Sequence, residues 1–423
     1  KRVFWLASLP GQISLQPWLG ERRRNRMKVL ITTEWYDPVI NGVVVSVENL
    51  VKGLNELGHE VRILTVSPNR RSETKGNVTY ISSVNAARVY PGARVAFTSL
   101  RVSKHIRALI RWKPDIIHSQ SEFSTFYMAN YIAAVLDIPI VHTYHTVYED
   151  YTHYFIPNKK LGRAMVSKFS KRILDRTACV VVPTDKVKAM LRSYGLSTEI
   201  EVIPTGLDVG VAPTGNGDDE KKALRDSLKI PEKNKILVTV GRLAKEKNLE
   251  EIMLFMTKLS RKDLTLLVVG DGPRRESLRT YAGALGLPGQ VVFAGMVKHS
   301  EVAAYYRIGD AFVSASRSET QGLSTLEALV NGLPALCRKD PSLDYVIQDG
   351  VNGWQYETFE EFRDQLEGLL EKTGPFQLKA DATGSGPNKS HTYLDFAKSV
   401  EAIYFKFYRK AEADIRRRSA GDA

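Results

Sequence analysis

From Met27 onward, short unbroken apolar runs alternate with stretches in which apolar residues recur every three or four positions. "MKVLITT" has no polar alternation, the pattern of a strand buried on both faces. In "SVENLVKGLNELG", Val47, Leu50, Val51, Leu54 and Leu57 fall on one helical face, and Gly58 marks its end. "HEVRILTV", "PDIIHSQ", "IPIVHTYH" and "ACVVVPT" predict further strands separated by helical patterns. The rhythm restarts at "KILVTVGRL" and continues through "LTLLVVGDG", "VVFAGM", "AFVSASR" and "LPALCRK". Strands alternating with helices predict parallel sheets covered by helices on both faces.

Between the two series, "EVIPTGLDVGVAPTGNGDDEKK" is rich in Gly, Pro, Asp and Thr and reads as a linker. The chain therefore divides into Rossmann-like, doubly wound domains at about 27–205 and 206–390, facing a cleft. "TGPFQLKADATGSGPNKS" reads as a flexible loop before a last helix in 391–423. Residues 1–26 do not share the pattern and read as an extension or remnant outside the fold. No apolar run approaches the ~18–20 residues of a membrane-spanning helix.

Composition changes this picture little: 43% hydrophobic and 25% charged residues describe an ordinary globular protein. Cys179 and Cys337 both sit in apolar runs and read as buried thiols in a reducing compartment. The net charge of +13 is more informative, because it points to an anionic partner: nucleic acid, acidic membrane or a phosphate-rich ligand.

Four clusters fall at carboxyl ends of predicted strands, where open α/β sheets bind ligands. In "DPVINGVVVSVENL", Gly42 opens a helix, where backbone N–H groups and the dipole suit a phosphate; a plain turn explains the same glycine. In "VTVGRLAKEKN", Arg242 and Lys247 lie five residues apart at a strand-to-helix turn and could neutralise a diphosphate; a solvated helix start is the alternative. "VHTYHTVYEDY" places His142 and His145 after a buried strand, with no third ligand at metal spacing, so no metal site is expected. In "SETQGLSTLEALVNG", Glu319 lies in a loop and Glu327, eight positions later, in the helix expected over Gly322 to Asn331. A carboxylate there can take both hydroxyls of a ribose, while backbone N–H groups around Ser324, Thr325 and Leu326 meet phosphate oxygens. A helix-start acid complementing the dipole accounts for one glutamate but not for both.

In this order the clusters resemble retaining glycosyltransferases of family 4, over about residues 27–410. "SETQGLSTLE" matches the family's Glu-x7-Glu motif, "GRLAKEKN" its diphosphate site and "DGVNGW" its late turn. The resemblance implies a GT-B fold whose last helix crosses back to the first domain. It also implies a nucleotide-sugar donor, with no other cofactor required. Glu327 would hold the donor ribose, Glu319 would lie by the sugar, and Arg242 and Lys247 would hold the diphosphate. Gly42 and the segment Gly322, Leu323, Ser324, Thr325 and Leu326 would line the donor site, and His145 would approach the transferred sugar. Asn41, Ser324 and Asn248 depart from the residues most frequent at their positions.

"HTYHTVYEDYTHY" and "TQGLS" look like the branch that glucosylates diacylglycerol in bacterial membranes. The implied reaction is transfer of a hexose, glucose being the expected one, from a UDP-sugar to a lipid hydroxyl by a cytoplasmic protein peripheral to the inner face of the membrane. The residues add support. "NKKLGRAMVSKFSKRILDRT" spaces Leu161, Met165, Phe169 and Ile173 four apart among Lys159, Lys160, Arg163, Lys168, Lys171 and Arg172. "RVSKHIRALIRWK" repeats the theme, and basic amphipathic helices lie on anionic lipid. A packed helix with a solvated basic face has the same pattern. Rival readings are a soluble-acceptor glycosyltransferase, a sugar-nucleotide epimerase and a basic nucleic-acid-binding protein. The chain lacks an RNA-recognition signature or zinc-finger spacing, so no nucleic-acid partner is expected.

Overall fold

The computed structural model describes residues 26–36, 41–86, 94–96, 103–149, 158–208, 217–371 and 392–421. The expected extension to residue 25, the start of the first loop (37–40), the middle of the linker (209–216) and the late loop at 373–390 lie outside them.

The first half of the chain supplies strands β1 (Lys28–Thr32), β2 (Glu60–Val66), β3 (Glu73–Lys75), β4 (Val78–Ile81), β5 (Ser83–Asn85) and β6 (Arg94–Ala96). These are followed by β7 (Ile116–Ser119), β8 (Ile140–Thr143), β9 (Cys179–Val182) and β10 (Glu199–Val202). Eight of them form one sheet of order β10-β9-β8-β7-β1-β2-β4-β3, while β5 and β6 pair separately. The large sheet is parallel except for β3 on β4. Helices α1 (Gly42–Glu56), α2 (Lys104–Trp112), α3 (Ser124–Leu136), α4 (Lys159–Leu174) and α5 (Asp185–Ser193) cover it.

Strand periodicity decides which helix each residue meets. Val29 and Ile31 of β1 belong to the core that includes Leu50 and Leu54 of α1, whereas Leu30 packs with Ile106 of α2 and Met128 of α3. The Asn41 side chain accepts from Val44 N at 3.0 Å and so caps α1. Gly58, with φ +92°, stops it as the sequence suggests.

The second half supplies β11 (Lys235–Val240), β12 (Leu264–Val269), β13 (Val291–Gly295), β14 (Ala311–Ser314), β15 (Ala335–Arg338) and β16 (Gly353–Tyr356). They form a parallel sheet of order β13-β12-β11-β14-β15-β16. Around it lie α6 (Asp218–Ser227), α7 (Leu249–Leu259), α8 (Arg275–Ala284), α9 (His299–Arg307), α10 (Leu323–Val330) and α11 (Phe359–Glu371).

The last helix, α12 (Tyr393–Gly421), packs on the first sheet's side. Phe396, Ala397, Val400 and Tyr404 are buried with Val47, Leu50 and Leu54 of α1. A Cβ on Gly53 would stand 2.5 Å from Ala397 Cβ, so only glycine permits this approach of α1 to α12. Tyr404 Oη lies 2.6 Å from His118 Nδ1 in the sheet. A parallel bridge joins Leu207, after β10, to Thr392, just before α12.

Several strands were not expected. β3 to β6, β10 and β16 are short, and β10 ("EIEV") takes in the first two residues of the stretch read as linker. Cys179 and Cys337 are buried and unpaired. Among the described residues no helix is long and apolar enough to cross a membrane.

Candidate active site

The carboxyl ends of β11, β12, β14 and β15 converge with those of the first sheet. Arg242 follows β11, and a 3-10 turn over Lys245–Lys247 turns the chain toward α7. Gly241, Arg242, Lys247 and Ser324 line one small cleft, which joins the second and fourth clusters singled out in the sequence. Asn248 adopts φ 50°, ψ 40°, the left-handed region that asparagine tolerates better than most residues. This conformation accounts for asparagine at a position where glycine is usual.

Gly322, with φ +75°, ends the motif loop and starts α10. The helix begins at Leu323, one residue later than expected. The Leu326 N–H is engaged with Gly322 O at 3.0 Å. This corrects the expectation for Leu326: an N–H closing the first helical turn does not reach out to an anion, and the donors at this end are those of Leu323, Ser324 and Thr325. The ideal Cβ of Gly42 would meet Leu323 Cδ1 at 3.4 Å, so the starts of α1 and α10 face each other.

Glu319 is nearly buried and pairs with Lys247, Nζ to Oε1, at 2.7 Å. Desolvation works against the Lys247 charge, but Glu319 more than offsets it and holds the ammonium above the ordinary lysine range. Glu327 sits half-buried in α10. Desolvation raises its carboxyl, opposed by His299 and by Tyr306, whose hydroxyl lies 3.0 Å from Oε2.

The loop carrying Glu319 is latched to the first sheet's side. Lys186 Nζ of α5 donates to Glu319 O at 3.0 Å and pairs with Asp340 at 2.7 Å. Thr184 Oγ1 donates to Thr320 O at 3.0 Å. The Gln321 amide makes two 2.9 Å bonds with the Thr205 backbone, accepting from N and donating to O. Glu251 of α7 gathers Arg317, Arg338 and Asn248, which ties this loop to the Arg242–Lys247 turn. None of Lys186, Gln321, Tyr306 or Glu251 was singled out in the sequence. Lys186 stands two residues past the buried run "ACVVVPT", and nothing local marks its role.

On the first sheet's rim, His145 Nε2 lies 2.7 Å from Gln120 Oε1. Burial, reinforced by His142, lowers its pKa to about 3, so the ring is neutral at working pH. His142 is fully buried beneath it, 3.2 Å from Glu122 Oε1 and edge-on to Phe126, and is a structural residue. Among the described residues no group of three His, Cys, Asp or Glu gathers to hold a metal ion.

Glu34, after β1, was also missed. Its oxygens accept from Thr125 N (2.7 Å) and Thr125 Oγ1 (2.9 Å), capping α3, whose own N-cap Phe123 has no side-chain bond to give. Burial, partly offset by Thr125 and Ser121, raises its pKa from 4.5 to about 7. The folded state therefore binds a proton that the unfolded state has released. The resulting stability is full below pH 4.5 and is lost as pH rises through about 7, a change of about 3 kcal/mol. Melting temperatures measured across that window should fall more steeply for the unsubstituted protein than for Glu34→Gln. Parallel slopes would contradict this assignment.

A family profile described as "Glycosyltransferase Family 4" matches residues 40–211, and one described as "Glycosyl transferases group 1" matches 220–384. An alpha-monoglucosyldiacylglycerol synthase from Streptococcus pneumoniae is 34% identical over 78% of this chain and 75% of its own length. The chain belongs to glycosyltransferase family 4. A second alpha-monoglucosyldiacylglycerol synthase, from Acholeplasma laidlawii, is 30% identical over 91% of this glycosyltransferase and 98% of its own length. The fold is GT-B. Anabaena HepE, solved with UDP and glucose, superposes with a TM-score of 0.66 at 15% identity, covering 89% of this chain and 99% of that one.

Proposed function

We propose that this glycosyltransferase moves glucose from UDP-glucose to the free hydroxyl of diacylglycerol, with retention of configuration, at the inner face of an anionic membrane. The observation that carries the reading is the meeting of Arg242, Lys247, Glu319 and the α10 N-terminus in one cleft, with Glu327 in the same helix. The names of the two synthases support the acceptor, and the UDP held by HepE supports the donor.

Arg242, Lys247 and the N–H groups of Leu323, Ser324 and Thr325 take the diphosphate, and Glu327 takes the ribose hydroxyls. The diphosphate competes with Glu319 for Lys247, and a released Glu319 can accept from sugar hydroxyls. The glycosidic C1–O bond breaks with its electron pair leaving on UDP. The acceptor oxygen bonds to C1 on the same face, and its proton passes to the departing phosphate oxygen. Neutral His145 gives its Nε2–H to Gln120 Oε1 and keeps Nδ1 to accept from a sugar hydroxyl without adding charge. Gly42, facing Leu323, leaves the phosphates room.

The α4 surface supports the membrane contact. Leu161 and Met165 are each 54% exposed and share α4 with Lys160, Arg163, Lys168 and Arg172, while Phe123, at the N-cap of α3, and Tyr127 of α3 are also exposed. By contrast, Ile106, Leu109 and Trp112 of α2 are buried in the core. The apolar face of that second basic stretch is occupied, and its amphipathicity belongs to the fold. Leu161→Asp with Met165→Asp should weaken sedimentation with anionic vesicles about tenfold or more. Unchanged sedimentation would remove α4 from the contact.

Nucleotide release from a panel of UDP- and GDP-sugars, with and without diacylglycerol in anionic micelles, tests the whole reading. Release from UDP-glucose only when lipid is present is expected. Release that follows a soluble acceptor instead would retire the lipid.

A further inference from the structure

Consecutive residues of the loop that carries Glu319 are each fastened by the first half of the chain. Lys186 Nζ donates to Glu319 O and Thr184 Oγ1 to Thr320 O, both at 3.0 Å, and the Gln321 amide pairs with the Thr205 backbone at 2.9 Å. The Lys186 hold is the charged one. Its ammonium, at the second position of α5, also meets both oxygens of Asp340, at 2.7 and 2.8 Å. A group with three hydrogens to give is thus surrounded by acceptors on the Glu319 peptide and the Asp340 carboxylate. Asp340, just past β15, is buried, and its Oδ1 accepts from Ser342 N at 2.8 Å. Ser342 Oγ in turn donates to Glu319 O at 2.8 Å.

Stability alone is a poor reason for such a pair. Desolvation cancels most of the attraction in a buried ion pair, and apolar residues of similar volume often serve as well. What Lys186 adds is direction. Glu319 has two anchors in the free protein: its side chain on Lys247 at 2.7 Å, and its main-chain oxygen on Lys186 and Ser342. In the donor complex proposed above, the diphosphate draws Lys247 away. The side-chain anchor is lost when the carboxylate must meet a sugar hydroxyl, and the main-chain anchor remains to aim it. Ser342 itself hangs from Asp340, whose charge Lys186 balances, so both main-chain bonds depend on one ammonium.

We infer that Lys186 is a positioning residue for the transfer step: reaching across from the first domain, it fixes the Glu319 peptide so that the carboxylate meets the donor's sugar once Lys247 has turned to the diphosphate. The inference rests on the donor reading above. UDP has no sugar to meet Glu319, so its binding does not depend on Lys186.

Lys186→Met keeps the side chain's length and removes its charge. Calorimetric titration should show UDP-glucose bound about tenfold more weakly, with UDP bound within about threefold of the unsubstituted protein. Turnover with diacylglycerol in anionic micelles should fall about 100-fold, the cost of a misplaced reacting group. Because the single substitution strands a buried carboxylate, the same measurements are made on Lys186→Met combined with Asp340→Asn, whose amide oxygen still accepts from Ser342 N. This pair should melt near the unsubstituted protein and still show the selective loss. In a Glu319→Gln background the pair should lower turnover by less than about threefold, because the carboxylate it aims is already gone. A merely structural lysine would weaken UDP and UDP-glucose alike and cost the same factor in both backgrounds, and either result would overturn the inference. So would loss of the fold in the charge-balanced pair. UDP-glucose that does not bind the unsubstituted protein would overturn the donor reading itself, and this inference with it.

Discussion

Arg242→Ala combined with Lys247→Ala is expected to lower turnover by about four orders of magnitude or more, since each donor at a developing oxyanion contributes about 100- to 1000-fold. Both side chains sit in a narrow cleft where water screens poorly, so neither charge is replaced by solvent. Stability responds separately. Removing Lys247 leaves Glu319, only 8% exposed, without its cation, and an uncompensated buried charge costs about 3–5 kcal/mol. Adding Glu319→Gln should restore the melting temperature without restoring turnover. Steady-state kinetics beside thermal unfolding separates the two effects, and turnover within tenfold of the unsubstituted enzyme would contradict the diphosphate assignment.

Gly270→Ala is expected to cost more stability than any surface substitution, about 3 kcal/mol or more. Gly270 follows β12 with φ +127°, and a Cβ there would stand 2.0 Å from Gly241 O. The atom in the way is backbone and cannot rotate aside. The segment pushed away is the one that carries Arg242, so donor binding should fall with stability. Chemical denaturation together with UDP-glucose affinity would show both losses, and an unaltered midpoint would contradict the close approach.

The parts of this fold legible in the sequence are those with a dense local signal. β1, β9, β11 and β12 are buried on both faces, so their apolar runs are unbroken and could be read directly. β10 and β16 have four residues each and mixed burial at sheet edges, too short for any period to emerge. The basic stretch at α2 shows a different limit. Helical periodicity reports an apolar face, and the same pattern serves a core as well as a membrane.

The site divides in the same way. Arg242 with Lys247 and Glu319 with Glu327 each fall within one contiguous strand-end stretch, so chemistry and spacing were visible together. The groups that hold them come from elsewhere: Lys186 is 133 residues from Glu319, and Thr205 is 116 from Gln321. Nothing local in "PTDKVK" or "IPTGL" announces those bonds. Tyr306 lies on a helix whose amphipathic pattern already explains an aromatic residue, so its hydroxyl emerges only with its partners in place.

The most direct test of the account is the anomeric configuration of the lipid product formed from UDP-glucose and diacylglycerol in anionic micelles, read from the coupling of its anomeric proton. The account predicts a single glucosyl-diacylglycerol with the α configuration of the donor. A β-linked product, or UDP released with no glycolipid formed, would contradict it.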